Sequence, residues 1–134
     1  MILKGNMINS GKAEGEAIVI GTPFSFLGEL DANTGKIASP FHKNFGQTIR
    51  KKILVIPGGK GSTMGPIISW YAMKSDNNPA GIICTEAEAI IASAAIVGNI
   101  PMIHKLERNP LDVIKTGDRV KMDATNGIVE IEGK

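Results

Sequence analysis

The segment from 53 to 66 reads Ile53-Leu54-Val55-Ile56-Pro57-Gly58-Gly59-Lys60-Gly61-Ser62-Thr63-Met64-Gly65-Pro66. Its apolar, largely β-branched start predicts a buried strand, and an apolar helical pattern follows the glycine loop from Ile67 to Met73. A strand, a loop and a helix in this order aim backbone N–H groups and the positive end of a helix dipole at one point. The segment therefore predicts either an anion or carboxylate site, or a tight turn in which Ser62 or Thr63 caps the helix.

Three familiar glycine-loop motifs do not match this segment. In a Walker A loop the lysine directly precedes the hydroxyl residue, whereas here Gly61 separates Lys60 from Ser62. The nucleophile elbow Gly-x-Ser-x-Gly would need glycine in place of Lys60. Gly59-Lys60-Gly61 also lacks the third glycine of a dinucleotide-binding loop. These mismatches argue against a P-loop NTPase, an α/β-hydrolase and a Rossmann dehydrogenase.

The whole-chain composition indicates an ordinary folded domain. The chain has 134 residues, 43% hydrophobic and 21% charged, which suits one domain over 1–134. Its net charge of +2 is scattered, so it does not favour nucleic acid. No signal peptide or membrane span is expected, and we predict a cytoplasmic protein. A single cysteine, Cys84, allows neither an intrachain disulfide nor a metal-cluster ligand set.

The apolar pattern predicts a mixed α/β fold with strands at both ends and a βαβαβ unit in the middle. Strands are predicted at 2–9, 14–20, 53–56, 80–84 and 100–103, and two main helices at 67–74 and 87–97. Thr85 is the expected N-cap of the second helix. The C-terminal residues predict a hairpin that turns at Asn126-Gly127 as a type I′ turn. Residues 38–48 show neither period and predict a long surface loop.

The remaining polar candidates leave several readings open. His42 lies in the long loop and is either a site residue or simply exposed, whereas His104 is expected to be a partly buried structural imidazole. Cys84 is expected in the core. The run Asp31-Ala32-Asn33-Thr34 favours a turn over substrate contacts, and Glu86 and Glu88 favour a role at the helix dipole. No His, Cys, Asp or Glu grouping has metal-ligand spacing.

Several spaced motifs together resemble the small swivel-domain proteins of the aconitase X family. They are Leu30-Asp31-x-x-Thr34-Gly35-x-Ile37, Phe41-His42-x-x-Phe45-Gly46-Gln47-x-Ile49, the segment 53–62, Pro79-Ala80-Gly81-Ile82-Ile83 and Ala95-Ile96-Val97-x-x-Ile100-Pro101-Met102. The likeness covers nearly the whole chain. It departs from the usual family loop Gly-Arg-Gly-Ser-Ser-Ser-Gly, because Lys60 stands for arginine and Thr63 and Met64 for serines.

The resemblance implies a single swivelling β/β/α domain that closes over the active site of a hydro-lyase. In the free-standing archaeal form the reaction removes water from (R)-5-phosphomevalonate and gives trans-anhydromevalonate 5-phosphate, on a mevalonate route to isoprenoids. Ser62 falls on the family's proton acceptor, and Lys60, Gly61 and Thr63 are the expected substrate contacts. The [4Fe-4S] cluster is expected on a large partner subunit in a heterodimer, since one cysteine cannot hold it.

Two other readings remain. One is a different aconitase-X-type hydro-lyase, such as a hydroxyproline dehydratase. The other is a swivelling domain without catalytic activity, because Thr116-Gly117-Asp118-x-Val120-x-Met122-Asp123 is similar to the end of the phosphohistidine carrier domain. The carrier's histidine is absent here, where the chain reads Cys84-Thr85-Glu86-Ala87-Glu88.

Overall fold

The structure, a computed structural model, describes residues 1–134 and contains ten strands and four helices. The strands are β1 (Ile2–Lys4), β2 (Asn6–Asn9), β3 (Lys12–Val19), β4 (Leu30–Asp31), β5 (Lys36–Ile37), β6 (Ile53–Ile56), β7 (Gly81–Cys84), β8 (Met102–His104), β9 (Arg119–Asp123) and β10 (Ile128–Ile131). The helices are α1 (Phe26–Glu29), α2 (Gly65–Lys74), α3 (Ala89–Val97) and α4 (Pro110–Val113). This mixed architecture, with α2 and α3 as its two main helices, confirms the predicted fold class.

One eight-stranded sheet, in the order β1-β10-β9-β3-β6-β7-β8-β2, organises the chain. Strands β3, β6, β7 and β8 run parallel, and β6-α2-β7-α3-β8 is the predicted βαβαβ unit. Strands β9 and β10 form the predicted hairpin and continue the sheet in antiparallel fashion. The loops after β6 and β7 therefore lie at the carboxyl edge of the parallel strands, where open α/β sheets bind ligands.

The predicted strand at 2–9 is broken at Gly5. Strand β1 pairs with β10, while β2 pairs with β8 at the other edge of the sheet. A Cβ at position 5 would lie 2.7 Å from Leu106 Cδ2 and 2.8 Å from the His104 carbonyl oxygen. Glycine permits this close approach, so one short segment reaches both edges of the sheet.

Strand β6 contributes side chains to two apolar cores, one on each face of the sheet. Its four side chains are fully buried: Leu54 and Ile56 join a cluster with α2 and α3, whereas Ile53 and Val55 join a cluster with the C-terminal strands. Alternation along a strand buried on both faces produces this division. The arrangement fixes the end of β6, from which the glycine loop leaves.

Two local predictions are wrong. Helix α3 begins at Ala89, and its N-cap is Glu88, which accepts the Ile90 and Ile91 N–H groups, instead of Thr85. Thr85 hydrogen-bonds Asn109. The turn at Asn126-Gly127 is not type I′, because only Gly127 has a positive φ and type I′ needs two such residues.

Candidate functional site

Backbone hydrogen bonds and close packing hold the first part of the glycine loop, next to β6, in place. Phe24 donates its N–H to the Gly58 carbonyl and accepts the Lys60 N–H, at 3.0 and 3.1 Å. A Cβ on Gly59 would overlap Glu88 Oε1 and lie 2.7 Å from Ile91 Cβ. Gly59 therefore serves the packing of the loop on the start of α3. By contrast, a Cβ on Gly61 would meet one ordinary contact, at 3.4 Å from Ile90.

Ser62 lies just before helix α2 and is half-exposed. The N-cap of α2 is Met64, with no side-chain capping bond and Pro66 in the first turn. Capping by Ser62 or Thr63 is therefore wrong. Instead, Ser62 Oγ accepts the Met64 N–H at 3.3 Å, and its carbonyl accepts the Gly65 N–H at 2.9 Å. The Ser62 oxygen thus accepts a hydrogen bond from a backbone N–H. A donor at this position favours the negatively charged form of the oxygen.

Three consecutive N–H groups at Gly61, Ser62 and Thr63 donate to no acceptor within the chain. They directly precede the positive end of the ten-residue helix α2. Unpaired donors at such a position bind anionic groups. The sequence predicted this group of donors from the glycines and the following helix.

Lys60 contacts a carboxylate that the sequence reading missed. Its ammonium lies 3.2 Å from Glu29 Oε1, and the same oxygen accepts the Ser25 N–H at 2.8 Å. Glu29 is only 5% exposed, at the end of the irregular turn α1. An acid between two buried phenylalanines and a buried leucine was the available signal, since a buried carboxylate needs a partner.

His42 completes this cluster from the long loop. Its Nε2 lies 3.3 Å from Glu29 Oε2, and the ring is largely buried. Its Nδ1 accepts the Asn44 N–H at 2.9 Å, so a neutral ring carries its proton on Nε2, which is buried and makes no hydrogen bond. His42 is therefore part of the site region and not simply exposed. Residues 38–48 contain no helix or strand, as predicted.

A cavity of about 400 Å³ opens beside the cluster. It falls within the range of small-molecule sites. Its lining residues are mostly polar: Gly21, Thr22, Glu29, Phe41, His42, Lys43, Asn44 and Lys60. The structure thus brings Lys60 together with Glu29 and His42 at this cavity, while Ser62 lies two residues further along the glycine loop.

The other sequence candidates have structural roles. Asp31 Oδ1 accepts the Asn33 N–H at 2.8 Å, which confirms the turn. His104 Nδ1 accepts the Ala87 N–H, and burial, followed by the Lys105 charge, lowers the pKa of the imidazole. Burial also raises the pKa of the Cys84 thiol to about 12, so this core cysteine stays protonated.

This chain does not fit an iron–sulfur cluster. No three His, Cys, Asp or Glu side chains are grouped to hold a metal ion, and the single thiol is buried. A cluster needs about three or four thiolates. None of the four helices has the length and apolar character that a membrane-spanning helix needs.

Comparisons with known proteins agree on one family. The profile described as the aconitase X swivel domain matches residues 2–131. A protein of Methanocella arvoryzae named phosphomevalonate dehydratase small subunit is 42% identical over 98% of this chain and 99% of its own. One of the same name from Thermococcus kodakarensis is 46% identical over 98% and 96%. The crystal structure of Thermococcus kodakaraensis aconitase X in its holo-form superposes with a TM-score of 0.91 at 44% identity, over 98% of each chain.

Proposed function

The chain belongs to the aconitase X swivel domain family and is a subunit of a hydro-lyase of that type, and we propose that it is the small, proton-abstracting subunit of a phosphomevalonate dehydratase. In this proposal the substrate is (R)-5-phosphomevalonate and the product trans-anhydromevalonate 5-phosphate. Residues 1–134 act as one swivelling domain that closes over the reaction centre.

Ser62 is the proposed proton acceptor. As its alkoxide, it takes the proton from the carbon next to the substrate carboxylate, and the hydroxyl on the neighbouring carbon departs. Serine is a poor base unless its alkoxide is stabilised. The single observation that carries the assignment is the donor arrangement at the loop: Met64 N–H bonds Ser62 Oγ, and three adjacent N–H groups are unpaired. The Met64 N–H stabilises negative charge on the Ser62 oxygen, and the unpaired donors suit the charge that develops on the substrate carboxylate as the proton leaves.

Gly61 and Thr63 supply the proposed substrate contacts through their N–H groups, which suit a carboxylate. Lys60 contributes positive charge, although its ammonium is shared with Glu29. Lysine in place of arginine gives a point charge instead of a two-pronged donor. The proposed contacts are therefore mainly backbone donors, which no side-chain substitution removes directly.

A large subunit that carries a [4Fe-4S] cluster is the proposed partner. The support is that the relatives are named as small subunits, together with the lack of cluster ligands in this chain. We therefore expect this chain alone to be inactive.

The test is dehydration of 5-phosphomevalonate by this chain reconstituted with its large subunit. Ser62→Ala should lower turnover by about 10³-fold, within the range for loss of a general base, with complex formation and melting temperature unchanged. Ser93→Ala, at an exposed serine of α3, is the matched control and should keep full activity. Full activity of Ser62→Ala would refute the base assignment. Turnover of a hydroxyproline but not of 5-phosphomevalonate would refute the substrate.

A further inference from the structure

We propose that the cavity beside Lys60 is the site for the phosphate end of the substrate, with Lys43 as its principal charge. This inference rests on the proposed function for the identity of the ligand. The cavity itself lies between the long loop 38–48, the residues after β3 and the glycine loop. It takes a phosphate monoester dianion, while the unpaired N–H groups of the glycine loop remain for the carboxylate end.

The charges around the cavity favour an anion. Lys43 has no carboxylate within 4.0 Å and is therefore an unneutralised cation on the cavity wall. The single acid in the lining is Glu29. Its Oε1 is engaged by Lys60 and the Ser25 N–H, and its Oε2 lies 3.3 Å from His42 Nε2. Two lysines against one carboxylate leave a net positive lining. A phosphate that enters gains attraction to Lys43, and the Lys60 ammonium already offsets the charge of Glu29.

The lining also holds hydrogen-bond donors that the fold does not use. The N–H groups of Gly21, Thr22 and Lys43, and the Thr22 hydroxyl, have no acceptor in the chain. Phosphate has several strong acceptor oxygens and is commonly bound by backbone N–H groups with lysine. The combination of spare donors and a spare cation suits a phosphate better than a neutral ligand.

The cavity and Ser62 lie close together along the glycine loop. Lys60 lines the cavity and lies two residues before Ser62, so their Cα atoms are at most about 7 Å apart. In 5-phosphomevalonate about five bonds separate the carbon that loses a proton from the phosphorus, a span of about 6 Å at ordinary bond lengths. The cavity and Ser62 are thus joined by one short segment of the glycine loop, and the proposal places the two ends of one substrate molecule along that segment.

The cluster of Glu29, His42 and Lys60 connects the segments that form the cavity wall. Glu29 joins three segments: the turn at 25–29, Lys60 of the glycine loop and His42 of the long loop. His42 in turn accepts the Asn44 N–H and so fixes the backbone on either side of Lys43. We assign Glu29 and His42 as positioning residues and Lys43 as the residue that contacts the phosphate.

The first experiment titrates the ¹⁵N-labelled full chain with inorganic phosphate and follows the amide resonances. Saturable shifts are expected at Gly21, Thr22, Lys43 and Asn44. Lys43→Met should weaken binding at least tenfold, since a charge-assisted contact is lost, and Lys43→Arg should restore most of it. Lys36→Met is the matched control, because Lys36 is exposed, lacks a carboxylate partner and lies outside the cavity. Absence of saturable shifts, or equal losses in Lys43→Met and Lys36→Met, would overturn the proposal.

The second experiment uses the reconstituted complex. Lys43→Met should raise KM for 5-phosphomevalonate at least tenfold and change kcat less than threefold, whereas Lys36→Met should change neither. An active complex whose KM is unaffected by Lys43→Met refutes the phosphate site and leaves the proposed function standing. An inactive wild-type complex with the expected amide shifts refutes the proposed function and leaves an anion site at the cavity.

Discussion

The two ends of helix α2 use their polar groups in opposite ways. At its C-terminal end, Asn77 donates its side-chain N–H to the Ala32 carbonyl at 2.9 Å, and Asn78 donates to the Ser69 carbonyl at 2.9 Å. At its N-terminal end, the N–H groups of Gly61, Ser62 and Thr63 have no acceptor in the chain. The two asparagines after the helix are therefore paired within the fold, whereas three N–H groups just before the helix are unpaired.

This difference separates stability from function within one element. A donor that is paired within the fold contributes about 1 kcal/mol to folding, whereas an exposed unpaired donor contributes little. An unpaired donor is available to a ligand instead. We therefore expect substitutions at the C-terminal end to lower stability and those at the N-terminal end to lower activity. The predictions below test this separation in order of decreasing effect on the free energy of unfolding.

The largest effect is expected for Gly98→Ala, where α3 ends against α2. The added methyl would overlap Ser69 Oγ and lie 2.8 Å from Asn78 Nδ2 and 3.0 Å from the Ala94 carbonyl. Overpacking at such a contact lowers the free energy of unfolding by about 3 kcal/mol, measured by urea denaturation. Gly21→Ala is the control, since a Cβ there would meet no atom within 4 Å and φ is not positive. A stable Gly98→Ala with lowered turnover would contradict the separation.

A smaller loss, about 2 kcal/mol, is expected for Glu29→Leu, because the Ser25 N–H loses its buried acceptor and Lys60 loses its ion-pair partner. This carboxylate also pairs with Lys60 of the glycine loop. Activity should therefore fall as well, by about tenfold in kcat/KM, equivalent to 1.4 kcal/mol.

Glu29→Gln is the matched variant, since it keeps an oxygen for the Ser25 N–H while it removes the charge and replaces the other oxygen with an NH2 group. It should recover most of the stability in urea denaturation while kcat/KM stays low. Equal stability of the Leu and Gln variants would show that the acceptor is not what Glu29 contributes to the fold.

The parts that could be predicted from sequence are the local ones. The β6-α2-β7-α3-β8 unit follows from apolar runs between clear breakers, and the spare N–H groups follow from glycines before a helix. The break at Gly5 could not be predicted, because it depends on pairing with β10 and β8, far along the chain. The predicted start of α3 is also wrong. Glu88 accepts two N–H groups at once and therefore serves as the N-cap in place of Thr85.

The site was only partly predictable for the same reason, namely that part of it depends on contacts between distant segments. Ser62 and its loop lie in one continuous segment, and the resemblance to a family supplied the role of the serine. The cluster of Glu29, His42 and Lys60 joins residues from three segments, and their proximity depends on how the long loop packs. Each residue alone reads as a surface or loop side chain. Only the fold brings the three together.

Asn77→Ala should lower the free energy of unfolding by about 1 kcal/mol, because the hydrogen bond to Ala32 ties the end of α2 to the β4–β5 turn. Turnover of the reconstituted complex should not change. Thr63→Ala is the counterpart at the other end of the helix. Its hydroxyl makes no hydrogen bond in the chain, so its stability should lie within about 0.5 kcal/mol of wild type. A thermal melt of both variants checks the contrast, and a less stable Thr63→Ala would break it.

The smallest effect concerns Asp118, a paired group that lies at the surface away from both helix ends. Hydrogen bonds from the Lys134 ammonium at 2.7 Å and the Lys115 N–H at 2.8 Å lower the pKa of this carboxyl. Because the folded pKa is below the unfolded value of about 3.9, the stabilisation is present above that pH and fades as pH falls through the folded pKa. Solvent screening keeps it below about 1 kcal/mol. Urea denaturation of wild type and Asp118→Asn should therefore differ at pH 7 and converge near pH 2. If the difference in free energy of unfolding between the two proteins stays unchanged at pH 2, the Asp118 pair does not stabilise the fold through its charge. The contrast between paired and unpaired polar groups would then hold only for buried donors.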